Sequence, residues 1–181
     1  MLTNKFKINY SIGSVANGIK TDTFTFFLLF FYSNIIGLKP SLAGLAIFIA
    51  LCVDAITDPL MGTISDRTKS SLGRRHPYML ISFIPMSLGY VFLFAPRQDW
   101  DMSQNDLFVW MTIFTILTRI GMTLFDIPHR AFGGEVTKNY KERTLLMSWR
   151  EMVGWVAGLS NAFLGYGIFF ASTPEYPQGQ L

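Results

Sequence analysis

Five stretches of the chain are apolar for long enough to cross a bilayer, which takes about 20 helical residues. They fall at residues 10–36, 41–65, 78–95, 107–132 and 145–171, with short polar connections between them. The pattern predicts an all-α integral membrane protein with five spans. The loops share their positive charge unequally. One side carries Lys5, Lys7, Arg67, Lys69, Arg74, Arg75, Lys138, Lys141 and Arg143; the other carries only Lys39 and Arg97. Cytoplasmic loops are the ones rich in Lys and Arg. The N-terminus is therefore expected in the cytoplasm and the polar residues 172–181 outside, in a multi-pass protein of the cell inner (plasma) membrane.

Composition agrees, with 50% hydrophobic and 15% charged residues. Residues 1–20 lack an apolar core followed by a cleavage site, so the first span is expected to act as an uncleaved insertion signal. Cys52 is the single cysteine, which excludes an intramolecular disulfide and argues against a metal cluster. No nucleic-acid motif or phosphate loop is present, and no organic cofactor is implied. The expected partners are the lipid bilayer and a small solute.

The spans nevertheless hold charges. Such groups are costly in lipid and face a bundle interior or a water-filled cavity. Asp54 and Asp58 are four apart, so on a helix their carboxylates share one face, and Thr57 adds a hydroxyl at its edge. Two like charges at this spacing repel unless a cation sits between them. The sharp reading is a site for sodium or a proton built from oxygen donors; the plainer one is a buried polar patch that ties helices together. Lys20 and Asp22 lie in the first span, two apart and on nearly opposite faces, so each needs a partner on another span. Arg119, Thr123, Asp126 and Arg130 follow at steps of four, three and four, forming one polar stripe along the fourth span. Pro128 frees a backbone carbonyl one turn earlier, as where a helix lines a site. Arg150 opens the fifth span, and Gly154 and Gly158 give it a small-residue packing face. Counted by depth at about 1.5 Å per residue, Asp22 and Asp54 lie near the midplane. Asp58, Asp126 and Arg150 lie about one to two turns inside the cytoplasmic boundary, as a shared cavity would require.

Residues 54–78 combine D-A-I-T-D-P with Gly62, Asp66 and Arg67, and then with Gly73, Arg74, Arg75, His76 and Pro77. The second motif resembles the loop between the second and third spans of major facilitator transporters. Together the two resemble the glycoside–pentoside–hexuronide:cation symporter family, that of the melibiose permease. The resemblance implies the first five helices of a twelve-helix fold made of two six-helix halves. Residues 1–171 would then be a partial N-terminal half and 172–181 the start of an extracytoplasmic loop, in a fragment whose C-terminal half is missing. It further implies symport of a sugar or sugar acid with sodium or a proton, by alternating access and without enzymatic chemistry. Asp54, Thr57, Asp58 and Thr123 would hold the coupling cation, with no other metal. Asp126 and Arg150 would bind sugar, joined by Asp22, Lys20 and Arg130. Gly62, Asp66, Arg67, Gly73, Arg74 and Arg75 would form a cytoplasmic gating loop.

Two departures bear on the solute. Where the family has a sugar-binding aspartate in the first span, this sequence has Gly18, with Asp22 one turn later; where the family has a stacking Trp, it has Arg130. A substrate bearing a carboxylate fits Arg130 and Lys20 at least as well as a neutral galactoside. The alternatives are a carrier of lysolipid or another organic solute on the same fold, and an intramembrane aspartyl protease using Asp54 and Asp126. The protease lacks its expected Gly-x-Gly-Asp context.

Overall fold

The computed structural model describes residues 2–165 and 167, apart from the side chains of Thr25 and Gln98. The end of the fifth predicted span and the polar stretch 172–181 lie outside the described residues. Everything regular among those described is helical. Three helical stretches are long and apolar enough to cross a bilayer: Pro40–Arg67, His76–Leu93 and Gln104–Glu135. The chain forms two compact units, one of residues 1–28 and 137–181 and one of residues 29–136.

The first unit contains α1 (Asn4–Ile12), α2 (Val15–Asp22), a wide π turn (Thr23–Phe27) and α8 (Tyr140–Leu164). Thr3 caps α1 by accepting from the Phe6 N–H, and Asn139 caps α8 by accepting from Lys141 and Glu142. The Thr137 hydroxyl donates to Glu142 and holds that carboxyl below the usual carboxylate range. Helix α2 packs on α8 through small residues at steps of four. Ser14 donates to the Arg150 carbonyl at 2.7 Å, 136 residues away. A Cβ at Gly18 would overlap the Gly154 carbonyl oxygen, and one at Gly158 would lie 2.9 Å from the Asp22 carboxylate. The three pairs keep one sequence offset, so α2 and α8 run parallel.

The second unit begins in α3 (Leu28–Phe30) and continues through a second π turn (Phe31–Ile36) to Gly37, whose φ of 86° ends the helix. The expected single span at 10–36 is thus an alternation of α and π turns. The remaining elements are α4 (Pro40–Arg67), α5 (His76–Ile81), α6 (Phe83–Leu93) and α7 (Gln104–Glu135). Pro40 occupies the first turn of α4, where its missing N–H does no harm. Ser103 and Asp106 form a reciprocal capping box at the start of α7. The Gln104 side chain donates to the Gly37 carbonyl and accepts from the Lys39 N–H, both at 2.9 Å, and so ties the start of α7 to the turn before α4.

Helices α6 and α7 run antiparallel and pack almost backbone to backbone. A Cβ at Gly89 would lie 2.8 Å from the Thr118 nitrogen, and one at Gly121 would lie 2.6 Å from the Met86 nitrogen. Towards one end, Phe92, Trp110, Phe114 and Trp100 cluster, and the Trp110 indole donates to the Phe92 carbonyl at 2.8 Å. Such aromatic groups are common where a bundle meets the membrane–water boundary. The buried Tyr32 hydroxyl donates to the Leu93 carbonyl at 2.7 Å.

This packing separates two kinds of glycine. Gly121→Ala forces α6 and α7 apart and should lower stability by about 1–3 kcal/mol, as overpacking does. Gly44→Ala, with nothing within 4 Å of the added carbon, should be neutral or stabilising by up to about 1 kcal/mol. Thermal unfolding of both variants in detergent checks the contrast.

Candidate functional site

Helices α4 and α7 run parallel, and polar residues at steps of four meet across them. Arg119 donates through Nη1 to Asp54 Oδ2, and the Thr123 hydroxyl donates to Asp58 Oδ1 at 2.7 Å, each pair 65 residues apart. The next rung is apolar: a Cβ at Gly62 would touch the Ile127 side chain at 3.8 Å. Constant offset between two helices of equal pitch brings every fourth residue of one against every fourth of the other. The sequence therefore assembles Asp54, Asp58, Arg119 and Thr123 simply by spacing them alike.

Two oxygens on α4 remain buried without a partner, Asp54 Oδ1 and Thr57 Oγ1. Asp54, Thr57, Asp58 and Thr123 all carry hard oxygen donors, the kind sodium takes. Of the expected cation-site residues, Asp58 and Thr123 are in contact, and Asp54 and Thr57 lie on the same helix as Asp58. Asp54 is also balanced by Arg119, a residue the sequence reading placed in the stripe without a role.

The stripe on α7 divides. Arg119 and Thr123 reach α4, whereas Asp126 accepts from Arg130 Nε at 2.6 Å on its own helix. Asp126 is buried and Arg130 exposed. Asp54 and Asp126 are each paired with a different arginine. Among the other expected solute-binding residues, Asp22, Lys20 and Arg150 belong to the first unit. The Asp22 carboxylate is buried against Gly158, Lys20 is half-buried, and Arg150 is 1% exposed with Nη1 donating to Glu151 at 2.5 Å.

In the loop between α4 and α5, Arg75 donates to Asp66 at 3.0 Å and to Glu135 at 2.8 Å, while Arg74 reaches Glu135 at 3.2 Å. Gly73 takes the left-handed conformation at φ 90° that lets the chain turn there. Thr68 and Tyr78 join hydroxyls at 2.6 Å across the same loop. Arg67 is exposed at the end of α4. The sequence reading found the arginines and Asp66 but missed Glu135. An acid closing a span, opposite two arginines that open another, was the available signal.

Residues 9–179 match the family described as MFS/sugar transport protein. The chain belongs to this family. It is 34% identical over 177 residues to an uncharacterised symporter of Synechocystis, covering 96% of this chain and 32% of that protein. It is 32% identical over 165 residues to the inner membrane symporter YicJ of Escherichia coli (91% and 35%). It is 30% identical over 206 aligned positions to the putative glycoside/cation symporter YagG of the same organism (97% and 44%). The chain thus spans about a third to under half of the length of these relatives. Membership makes it a membrane-transporter chain of the major facilitator type, and the resemblance read from residues 54–78 is that of its family.

The Arg75 network is unequal. The Arg75 side chain is 7% exposed and Arg74 is 54% exposed. Arg75→Ala removes the bridge between Asp66 and Glu135 and should open residues 68–75 to proteolysis. Arg74→Ala removes an exposed pair worth under about 1 kcal/mol and should leave cleavage unchanged. Limited proteolysis of both variants in membranes reads the difference.

Proposed function

We propose that the chain supplies cation- and solute-binding helices of a secondary active transporter that moves a sugar or sugar acid with sodium or a proton. The observation that carries this reading is the α4–α7 pair. Asp58 accepts from Thr123, and the same helix α4 carries two buried oxygens without a hydrogen-bond partner, Asp54 Oδ1 and Thr57 Oγ1. Oxygen donors of this kind can replace the hydration shell of a small hard cation. Alternating access needs no bond to be broken, only differential binding on the two sides of the membrane.

For the solute, Asp126 and Arg150 with Asp22, Lys20 and Arg130 offer carboxylates to sugar hydroxyls and cations to an acidic group. The Asp126–Arg130 pair supports an acidic sugar, since a substrate carboxylate can take over the guanidinium that Asp126 now holds. The names of relatives, a glycoside/cation symporter among them, support the same class. A lysolipid carrier on this fold is less well supported, because α7 presents charge at three levels along its length. The distribution of Lys and Arg in the loops favours a cytoplasmic N-terminus. We further propose that the loop with Gly62, Asp66, Arg67, Gly73, Arg74 and Arg75 gates the cytoplasmic side, its charge pairs breaking and re-forming in each cycle.

Solute uptake by membrane vesicles, with and without an imposed sodium or proton gradient, tests the proposal. Asp58→Asn should abolish ion-driven accumulation with the protein still inserted, because a neutral amide cannot compensate the ion. Normal accumulation by this variant would overturn the cation assignment. Asp126→Ala and Arg150→Ala should weaken solute binding more than cation binding, and equal losses of both would count against separate roles. Arg130→Trp should shift preference towards neutral glycosides.

A further inference from the structure

Asp54 and Asp58 are alike in sequence context, yet α7 answers them differently. Asp54 receives a guanidinium and Asp58 a neutral hydroxyl. Arg119 and Asp54 are largely buried, with 12% and 20% of their side chains exposed. An arginine does not lose its proton in a protein, so its charge is a permanent part of the site. The two carboxylates of Asp54 and Asp58 and the Arg119 guanidinium together leave one net negative charge. Asp54 meanwhile keeps its second oxygen, Oδ1, buried without a hydrogen-bond partner.

We propose that Arg119 is the resident counter-ion of Asp54, so that the site holds one exchangeable monovalent cation rather than two. That cation is shared by Asp58, Thr123, Thr57 and Oδ1 of Asp54. This assignment rests on the transport reading above and adds the charge balance that sets how many cations the site takes. A guanidinium beside the site lowers a cation's affinity and a carboxylate raises it, because at short range and low dielectric each unit of charge changes an ion's affinity steeply. What matters is then the sum over the site rather than any single carboxylate.

The test is a sodium titration of the purified protein in detergent, read by tryptophan fluorescence, across three variants. Asp54→Asn leaves zero net charge and should weaken sodium binding by about tenfold or more. Arg119→Gln leaves two negative charges and should tighten it by a similar factor. Asp54→Asn combined with Arg119→Gln returns the site to one negative charge and should restore affinity to within about threefold of the unaltered protein. A double variant as weak as Asp54→Asn alone would overturn the proposal and make Asp54 a direct, indispensable ligand. If Arg119→Gln fails to insert, Arg119→Lys keeps the charge and should keep sodium affinity; loss of binding in a folded Arg119→Lys would also count against it. Should the unaltered protein give no sodium response, the sodium form of the transport reading fails. The pairing is then read from thermal stability, where each single variant should lower the midpoint and the double variant restore it. Failure of the double variant to restore it would overturn the counter-ion assignment.

Discussion

A charge placed in an apolar helix needs a partner at its own depth, because lipid offers it none. That constraint organises both units. In each, two helices run parallel and in step, so polar or small residues at intervals of four meet rung by rung. Arg119 and Thr123 answer Asp54 and Asp58 in one unit. In the other, the Arg150 carbonyl and Gly154 answer Ser14 and Gly18, and Gly158 makes room for the Asp22 carboxylate. A slip of one residue on either helix would turn each group about 100° away from its partner. The apolar remainder is comparatively free to vary, since one large aliphatic side chain serves lipid as well as another. Each unit thus has one parallel pair, α4 with α7 in one and α2 with α8 in the other.

The all-helical membrane fold was legible because hydropathy depends on composition over many residues, and small local departures do not erase it. The shared face of Asp54 and Asp58 was legible for a different reason. Carboxylates four apart in an apolar run have few structural uses, and their spacing alone places them on one face. What stayed hidden was pairing. Arg119 stood in the predicted stripe, but no single sequence states the offset between two spans, so its place on Asp54 could not be read. Asp126 and Arg130 show the converse: their spacing of four announced an intrahelical pair, which attention to solute roles passed over. Glu135 escaped because it closes a span and looks like an ordinary solvated acid, until Arg75 is found against it.

The loop between α4 and α5 shows how little material a stable charged network needs. Arg75 is buried between two acids that are themselves half in solvent, with side-chain exposures of 60% for Asp66 and 46% for Glu135. Solvent at the exposed carboxylates screens both pairs and keeps each of them modest in strength. Such a contact holds in one conformation and can be given up to water without stranding a buried acid.

The π turns at Thr23–Phe27 and Phe31–Ile36 have a further effect. Each accommodates one residue beyond what an α-helix of the same length would hold, and so shifts the phase of everything after it. The first turn belongs to one compact unit: Thr23 accepts from Asn161, and the Phe27 ring fills the space over Gly165. The second belongs to the other, where Phe31 meets Phe94 at 5.2 Å and Tyr32 reaches the Leu93 carbonyl. One helical stretch thus contributes side chains to both units along its length. Removing a single residue there would leave the span apolar and helical while aiming its second half at the wrong neighbours, an error that no hydropathy profile would register.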